Sequence, residues 1–295
     1  MALIGEFLVG LRDSIRLDTY RVVTGISMIG YVATWWFDDA AEWLTREGFH
    51  LSPQAAGQEW LVLPPLPTWA LAPFGVCLFG AMLAFTIGLR LRVAAPVAFL
   101  ALVYVTHVDP LAAFTPHDLL IVALALFSVS QPGSYWTLDA VPSRPVSVWP
   151  VRVLQATLLL SYPIAGLCKI TSEAWVWNSF ALREDVNGPY RNELAAFLLR
   201  NLPDAGWVLL QSLALAFELV APLLFGVRRL RTVGFVWGAG MHLGIGALMD
   251  EFGWFALQMV AFYALFADDA SLHALRQRLA RLGGRRVIEA GATEG

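Results

Sequence analysis

The stretch Ser161-Tyr-Pro-Ile-Ala-Gly-Leu-Cys-Lys169, followed by Trp175, ends an apolar run that begins near residue 151. Such a run is long enough to cross a bilayer, which takes about 20 residues. Lys169 is the only lysine among the 20 lysine and arginine residues. A lysine kept where arginine serves everywhere else suggests an amine that must lose its proton. The plain alternative is a helix-end lysine whose ammonium group extends to the membrane surface.

The composition places the chain in a membrane. Of its 295 residues, 58% are hydrophobic and only 15% are charged, whereas soluble domains carry about 25% charged residues. We therefore predict an all-α, polytopic integral membrane bundle over residues 1–268, with a short basic tail over residues 269–295. The two cysteines, Cys77 and Cys168, lie in apolar runs, so we predict neither a disulfide framework nor a metal site.

The apolar runs predict eight transmembrane helices. Arginines concentrate in the segments on one side of them, and an excess of positive charge marks the cytoplasmic side of a membrane. Both termini are therefore expected to be cytoplasmic, and amphipathic helices at both ends of the chain are expected to lie on the membrane surface. The predicted spans are residues 18–37, 69–89, 93–109, 116–133, 151–170, 206–227, 232–249 and 252–267.

Ionisable residues inside predicted spans are candidate site residues, because burying charge in lipid is unfavourable. The predicted topology places three bases in the outer half of the bilayer, one carboxylate near the middle and one arginine near the inner end. In that order they are Lys169, His117, His242, Glu218 and Arg21.

Each of these residues has a plain structural alternative. His117 follows Pro116, and its role is then only to occupy the first turn of a helix. His242 lies among small residues that allow close helix approach, and it would bond a neighbouring carbonyl. Glu218 would pair with Arg21 or stay protonated.

The span that ends at Lys169 also suggests a shape. Tyr162 and Lys169 are seven residues apart and share a helix face, with the small residues Ala165 and Gly166 between them. Pro163 is expected to kink the helix. Small residues beside a bend leave room for a flat ligand, which we state as a hypothesis.

Several blocks of this sequence resemble, in order and spacing, the vitamin K-dependent gamma-carboxylase family and the wider bacterial group called the horizontally transferred transmembrane (HTTM) family. The resemblance covers roughly residues 15–267. Each block is weak alone, but their common order is specific. The blocks are Tyr162–Lys169 with Trp175, Arg21-Val-Val-Thr-Gly25, Pro116-His117-Asp118 with Tyr135-Trp-Thr-Leu-Asp139, and Met241-His242 with Phe252-Gly-Trp-Phe255 and Tyr263.

This resemblance implies that Lys169 is the base that deprotonates a reduced, vitamin K hydroquinone-like quinone, supported by His117. O2 then adds, and the oxygenated quinone removes a proton from a glutamate, which captures CO2. The base must be a neutral amine in a dry pocket, because an ammonium group accepts no proton. Arg21 is predicted to be a structural polar residue. The predicted substrate or quinone pocket is lined by Tyr162, Gly166, Trp175, His242 and Glu218.

The animal carboxylases carry a large lumenal domain after their spans, and no such domain is evident here. The expected partners are therefore the lipid bilayer, the quinone, a protein or peptide substrate and a protein that supplies the extramembrane domain, without nucleic acid. The expected location is the bacterial cytoplasmic membrane, with the site towards the outer face. A non-enzymatic carrier, or a partner-dependent maturation or immunity factor on the same fold, stays open, although we find no repeat typical of carriers.

Overall fold

The computed structural model describes residues 2–48, 63–108, 115–130, 133–140, 142, 144–172, 175 and 178–282. Most of this part of the chain is helical, as expected for an apolar chain whose backbone polar groups must be satisfied within each segment. Two short strands, Leu11–Arg12 (β1) and Val146–Ser147 (β2), pair antiparallel at one end of the bundle. The all-α prediction is confirmed.

Every predicted span coincides with a helix. The last one continues through a 3-10 turn at Phe262–Phe266, and a second 3-10 turn covers Arg228–Leu230. The α-helices of the described residues are Ala2–Val9 (α1), Ile15–Leu44 (α2), Thr68–Ile87 (α3), Leu91–Val108 (α4), Thr115–Val129 (α5), Trp149–Thr171 (α6), Ala181–Val186 (α7), Glu193–Asn201 (α8), Asp204–Gly226 (α9), Arg231–Leu248 (α10), Phe252–Ala261 (α11) and Asp269–Leu282 (α12).

Four helices, α3, α4, α6 and α9, are long and apolar enough to cross a membrane. A fifth span results if α11 with its 3-10 extension and α12 are counted together, but these two pieces meet at a bend of 120°. Helix α5 has only 15 residues. Helices α2 and α10 reach the length of a span without its apolar composition. The count of eight spans and the orientation of the termini therefore stay predictions.

Helix α2 lies at the centre of the bundle, where it packs against α3, α4, α6, α11 and α12. Two glycines allow its neighbours to approach closely. A Cβ atom at Gly25 would overlap Thr86 of α3, and one at Gly30 would overlap the Trp254 ring of α11. Small residues at such positions let helix backbones come together, which is a common way of packing helices in lipid.

The start of α2 and the last described helix, α12, share one end of the bundle. Arg16 Nε lies 2.6 Å from Asp269 Oδ1, and His273 Nε2 lies 3.2 Å from Asp13 Oδ2. The sharp bend before α12 places this helix across the end of α2, where it packs. Its exposed leucines suit a surface helix, as the sequence predicts. The rest of the predicted basic tail, residues 283–295, lies outside the described residues.

Candidate functional site

The outstanding polar feature inside the bundle is an ion pair between α6 and α9. Lys169 Nζ donates a hydrogen bond to Glu218 Oε1. The two side chains are only 26% and 10% exposed. Gly166, one turn before Lys169, allows this approach, because a Cβ atom there would lie 3.0 Å from Leu219 Cδ2 and 3.3 Å from Glu218 Cβ. The suggested pairing of Glu218 with Arg21 is wrong, since α9 packs along α6 and places Glu218 beside Lys169.

An aromatic ring stands over the ammonium group. Lys169 Nζ lies 4.9 Å from the centroid of the Trp175 ring, within the range of a cation–π contact. Gln211 of α9 holds this loop, because its Nε2 donates to the carbonyls of Trp175 and Asn178, each at 2.9 Å. Its Oε1 accepts from Leu182 N at 3.0 Å. The loop after α6 is therefore fastened over Lys169 by a side chain of α9.

A second carboxylate, Asp185 on α7, lies within electrostatic reach of the same ammonium group. Partial burial raises the pKa of the Asp185 carboxyl, while the Lys169 charge and a side-chain hydrogen bond from Trp175 oppose that rise. Asp185 was not among the predicted site residues, because only the ionisable residues inside the predicted spans were candidates. Lys169 thus pairs with a buried carboxylate, Glu218, and is influenced by the charge of a more exposed one, Asp185.

A buried hydroxyl–imidazole cluster lies beside the ion pair. Tyr162 Oη is 2.8 Å from His242 Nε2 and 3.0 Å from Tyr263 Oη. All three side chains are buried. The suggestion that His242 bonds a neighbouring carbonyl is wrong, because its Nε2 meets a tyrosine hydroxyl instead. The rings of Phe217 and Phe225 pack on Tyr162, so a flat ligand at this point would replace these aromatic contacts.

The ion pair and the cluster act on each other electrostatically. Lys169 lies close enough to influence His242, and Glu218 close enough to influence Tyr162. Two buried atoms, Glu218 Oε2 and His242 Nδ1, have no hydrogen-bond partner in the part of the chain that the structure describes. Buried polar atoms are nearly always bonded. Water, or a ligand that carries hydroxyl groups, could therefore form hydrogen bonds with these two atoms.

His117 lies apart from this group. It occupies the first turn of α5, is fully buried, and its Nε2 is 2.8 Å from the Leu102 carbonyl of α4. Its ring stands edge-on to Tyr31 at 6.4 Å. Among the described residues, no hydrogen bond or ion pair joins His117 to Lys169 or Glu218. The predicted topology put His117 and Lys169 in the same half of the bilayer. In the structure their side chains bond different partners.

Arg21 lies away from both His117 and Lys169, and its partners are Asp18 and four backbone carbonyls. Its guanidinium group is fully buried, and Nε lies 3.8 Å from Asp18 Oδ1 on the same helix. Its Nη atoms donate to four carbonyls, which tie α2 to the end of α3 and to the segment before α6. These are the carbonyls of Phe85 and Thr86 at 2.6 Å, Trp136 at 2.7 Å and Tyr135 at 3.2 Å.

Comparison with known families identifies the domain that contains these polar residues. Residues 12–270 match the HTTM domain. The chain belongs to the HTTM family. The matched range contains the Lys169–Glu218 pair and the Tyr162–His242–Tyr263 cluster. HTTM proteins are membrane proteins related to the gamma-carboxylases. Comparisons with curated proteins and with solved structures give no match.

In this HTTM protein, Gly238 of α10 packs closely against Tyr263, which predicts that a larger residue at this position lowers stability. A Cβ atom at Gly238 would overlap Tyr263 Oη and lie 2.6 Å from the Phe217 ring. We expect Gly238→Ala to lower the free energy of unfolding by about 1–3 kcal/mol, since overpacking displaces buried side chains. Thermal unfolding in detergent would measure this change.

Gly240, two residues along the same helix, is the matched control. A Cβ atom there meets no atom within 4 Å. Gly240→Ala should therefore leave stability unchanged or raise it by up to ~1 kcal/mol, because alanine is the better helix former. Equal stability of the two variants would contradict the packing of Tyr263 against α10.

Proposed function

We propose that this HTTM protein is a membrane enzyme in which Lys169 deprotonates a reduced quinone. The reaction would consume O2 and couple to proton removal from an acidic substrate and its carboxylation by CO2. The observation that supports this proposal is the Lys169–Glu218 pair, which is held inside the bundle beside the Tyr162–His242–Tyr263 cluster. Membership of a family related to the gamma-carboxylases gives the chemical context.

The carboxylate partner explains how an amine base can exist in such a place. An isolated ammonium group is expensive to bury, whereas a paired one is compensated by its neighbour. If the Lys169 proton moves to Glu218, both groups become neutral without any net charge entering the bundle. The Lys169 amine then has a free electron pair, which can accept a proton from a quinol hydroxyl.

The surrounding groups fit a flat molecule with hydroxyl groups. When bound, the quinone would supply the oxygen chemistry that side chains lack. Glu218 Oε2 and His242 Nδ1 are buried and have no partner in the described part of the chain, so they offer bonding positions. Trp175 covers Lys169 and limits the access of water to it. Gly166 keeps the seam between α6 and α9 narrow.

We propose that His117 supports the deprotonation of the quinone, although it lies apart from the Lys169–Glu218 pair. Its Nδ1 is buried without a hydrogen-bond partner among the described residues, and its Nε2 meets the Leu102 carbonyl.

We propose that the protein is placed in the bacterial cytoplasmic membrane with Lys169 towards the outer face. Arginines at the other end of the bundle support that orientation. A protein or peptide substrate, helped by a partner domain, would reach Lys169 from outside.

The test is quinol turnover by purified protein in detergent. Reduced naphthoquinone and O2 are added, and the quinone epoxide is measured by mass spectrometry. We expect Lys169→Ala to lower the rate by a factor of at least about 10², the size of effect of a general base. Lys169→Arg should be equally inactive although folded, because arginine keeps the positive charge but does not give up its proton.

Arg183→Ala is the matched control, because this cation lies on α7 near the site and, among the described residues, its side chain bonds only Asp204, at 3.2 Å. It should retain the wild-type rate. Epoxide formation by Lys169→Arg at the wild-type rate would show that a fixed cation is enough and would overturn the role of Lys169 as base. Absence of epoxide from folded wild type with several quinones would favour a non-enzymatic role.

A further inference from the structure

A cavity of about 220 Å³, lined by five charged residues and by Val148 and Val151, lies at the opposite end of the bundle from Lys169. Its walls include three arginines, Arg12, Arg16 and Arg152, together with Asp13 and Asp269. Arg152 and Lys169 are 17 residues apart on α6, which is roughly 25 Å along a helix axis. The cavity therefore is a separate site and does not rest on the proposed function.

Three arginines and two aspartates line this cavity, so its lining carries one positive charge in excess. The carboxylate of Asp13 accepts from Tyr135 Oη at 3.1 Å and lies 3.2 Å from His273 Nε2. Arg16 pairs with Asp269 at 2.6 Å, and Arg12 lies 3.6 Å from Glu6. Arg152, in contrast, donates only to neutral oxygens, namely Gln155 Oε1 at 2.8 Å and the Phe7 carbonyl at 3.2 Å. Among the described residues it forms no ion pair.

Other cations surround Arg152. Arg12, Arg16 and Arg231 all lie near enough to repel it electrostatically. Arg231 itself bonds the carbonyls of Phe225 and Phe266. Like charges kept close together around a cavity destabilise one another unless an anion joins them. Arginine forks match the geometry of a phosphate group better than any other side chain.

The elements on either side of the cavity expose large apolar side chains. Phe7, Leu8 and Leu11 are exposed on α1 and β1, and Leu275 and Leu279 are exposed on α12. The Phe7 ring lies 4.0 Å below the Arg152 guanidinium group. Exposed leucines and phenylalanines beside arginines are typical of elements that lie at the boundary between lipid tails and headgroups. An occupant with both a phosphate and acyl chains would satisfy the cavity and its rim together.

We propose that this cavity binds the phosphate group of an anionic phospholipid, with Arg152 as its main ligand and Arg12 and Arg16 as supporting cations. The acyl chains lie along the apolar surfaces of α1 and α12. A lipid bound here joins the first helix, α6 and the last described helix. Basic pockets at the membrane surface bind anionic headgroups in this way.

Native mass spectrometry of the full chain in detergent tests this proposal, with phosphatidylglycerol and phosphatidylcholine added separately. We expect tighter binding of phosphatidylglycerol. Arg152→Gln should weaken that binding by about tenfold or more, which is the effect of losing a hydrogen bond to a charged group. Arg12→Gln, a substitution at an exposed position that leaves the interior untouched, should weaken it in the same direction.

Arg278→Gln removes an exposed arginine on α12 outside the cavity and is the matched control. It should bind phosphatidylglycerol within about twofold of wild type, since only a general loss of charge is involved. Equal losses in Arg152→Gln and Arg278→Gln, or equal binding of the two lipids, would overturn the site. Inorganic phosphate is the third ligand. A rise in Tm with phosphate that depends on Arg152, without binding of phosphatidylglycerol, would overturn the lipid proposal. It would show that the ligand of the cavity is a soluble phosphate compound.

Discussion

Replacement of Arg21 by Met should lower the free energy of unfolding by about 3–5 kcal/mol, because it leaves a buried carboxylate without its counter-charge. Arg21 and Asp18 are both fully enclosed by protein, 0% and 1% exposed. Methionine keeps most of the side-chain volume but donates no hydrogen bond, so four backbone carbonyls at the end of α3 and in residues 135–136 also lose their donor. Thermal or chemical unfolding in detergent would measure the loss.

A double variant separates the charge from the hydrogen bonds. Asp18→Asn added to Arg21→Met removes the unpaired carboxylate, so we expect part of the lost stability to return. Asp18 also accepts from Ser14 Oγ at 2.7 Å and from Tyr135 N at 3.1 Å, and these contacts prevent full recovery. Arg12→Gln, an exposed arginine nearby, should change stability by no more than about 0.5 kcal/mol. A loss below about 1 kcal/mol for Arg21→Met would contradict the buried network.

Lys169→Met should lower the free energy of unfolding by about 3 kcal/mol, since the charge of Glu218 is then buried without compensation. Glu218 lies in the middle of α9, and Lys169 is the one ion-pair partner it has among the described residues. The flexible apolar methionine side chain fills the space of the lysine stem, so packing is nearly preserved. The same unfolding measurement applies.

Glu218→Gln in the Lys169→Met background provides the internal control. It removes the uncompensated charge at constant volume, and most of the lost stability should return. A coupling energy near zero in the double-mutant cycle would mean that the two side chains do not stabilise each other. Lys169→Arg keeps the charge pair, and it should therefore be stable while lacking quinol turnover, which distinguishes the catalytic role from the structural one.

Most of the helices followed directly from the sequence. An apolar run of about 20 residues in lipid can satisfy its backbone groups only as a helix or in a closed barrel. Long runs without the alternating pattern of barrel strands therefore predicted helices at eight places, and all eight are helical. The order of the motifs around Arg21, His117, Lys169 and His242 also predicted the family that residues 12–270 match.

Local spacing contained one signal that our interpretation missed. Asp18 stands three residues before Arg21 on the same helix face, a spacing that brings oppositely charged side chains together. Glu218 was instead considered as a partner for Arg21. Asp185 was missed for another reason, since it lies in the loop region after α6 and approaches Lys169 only when α7 packs on α9.

The sequence by itself determined the helices and the membrane class, because these depend on hydropathy along one dimension. The depth of each ionisable residue stays a prediction, since it depends on the number and orientation of the spans. Tertiary structure alone decided which of these residues meet. The depth of a residue in the membrane says nothing about which helices are neighbours or how each is rotated about its axis. Lys169 and His117 were therefore expected at similar depth, yet Lys169 bonds Glu218 and His117 bonds the Leu102 carbonyl. The contacts of Tyr162 with His242 and Tyr263 span 80 and 101 residues of sequence. Gly238 on α10 leaves the space that Tyr263 Oη occupies, because a Cβ atom there would overlap this oxygen.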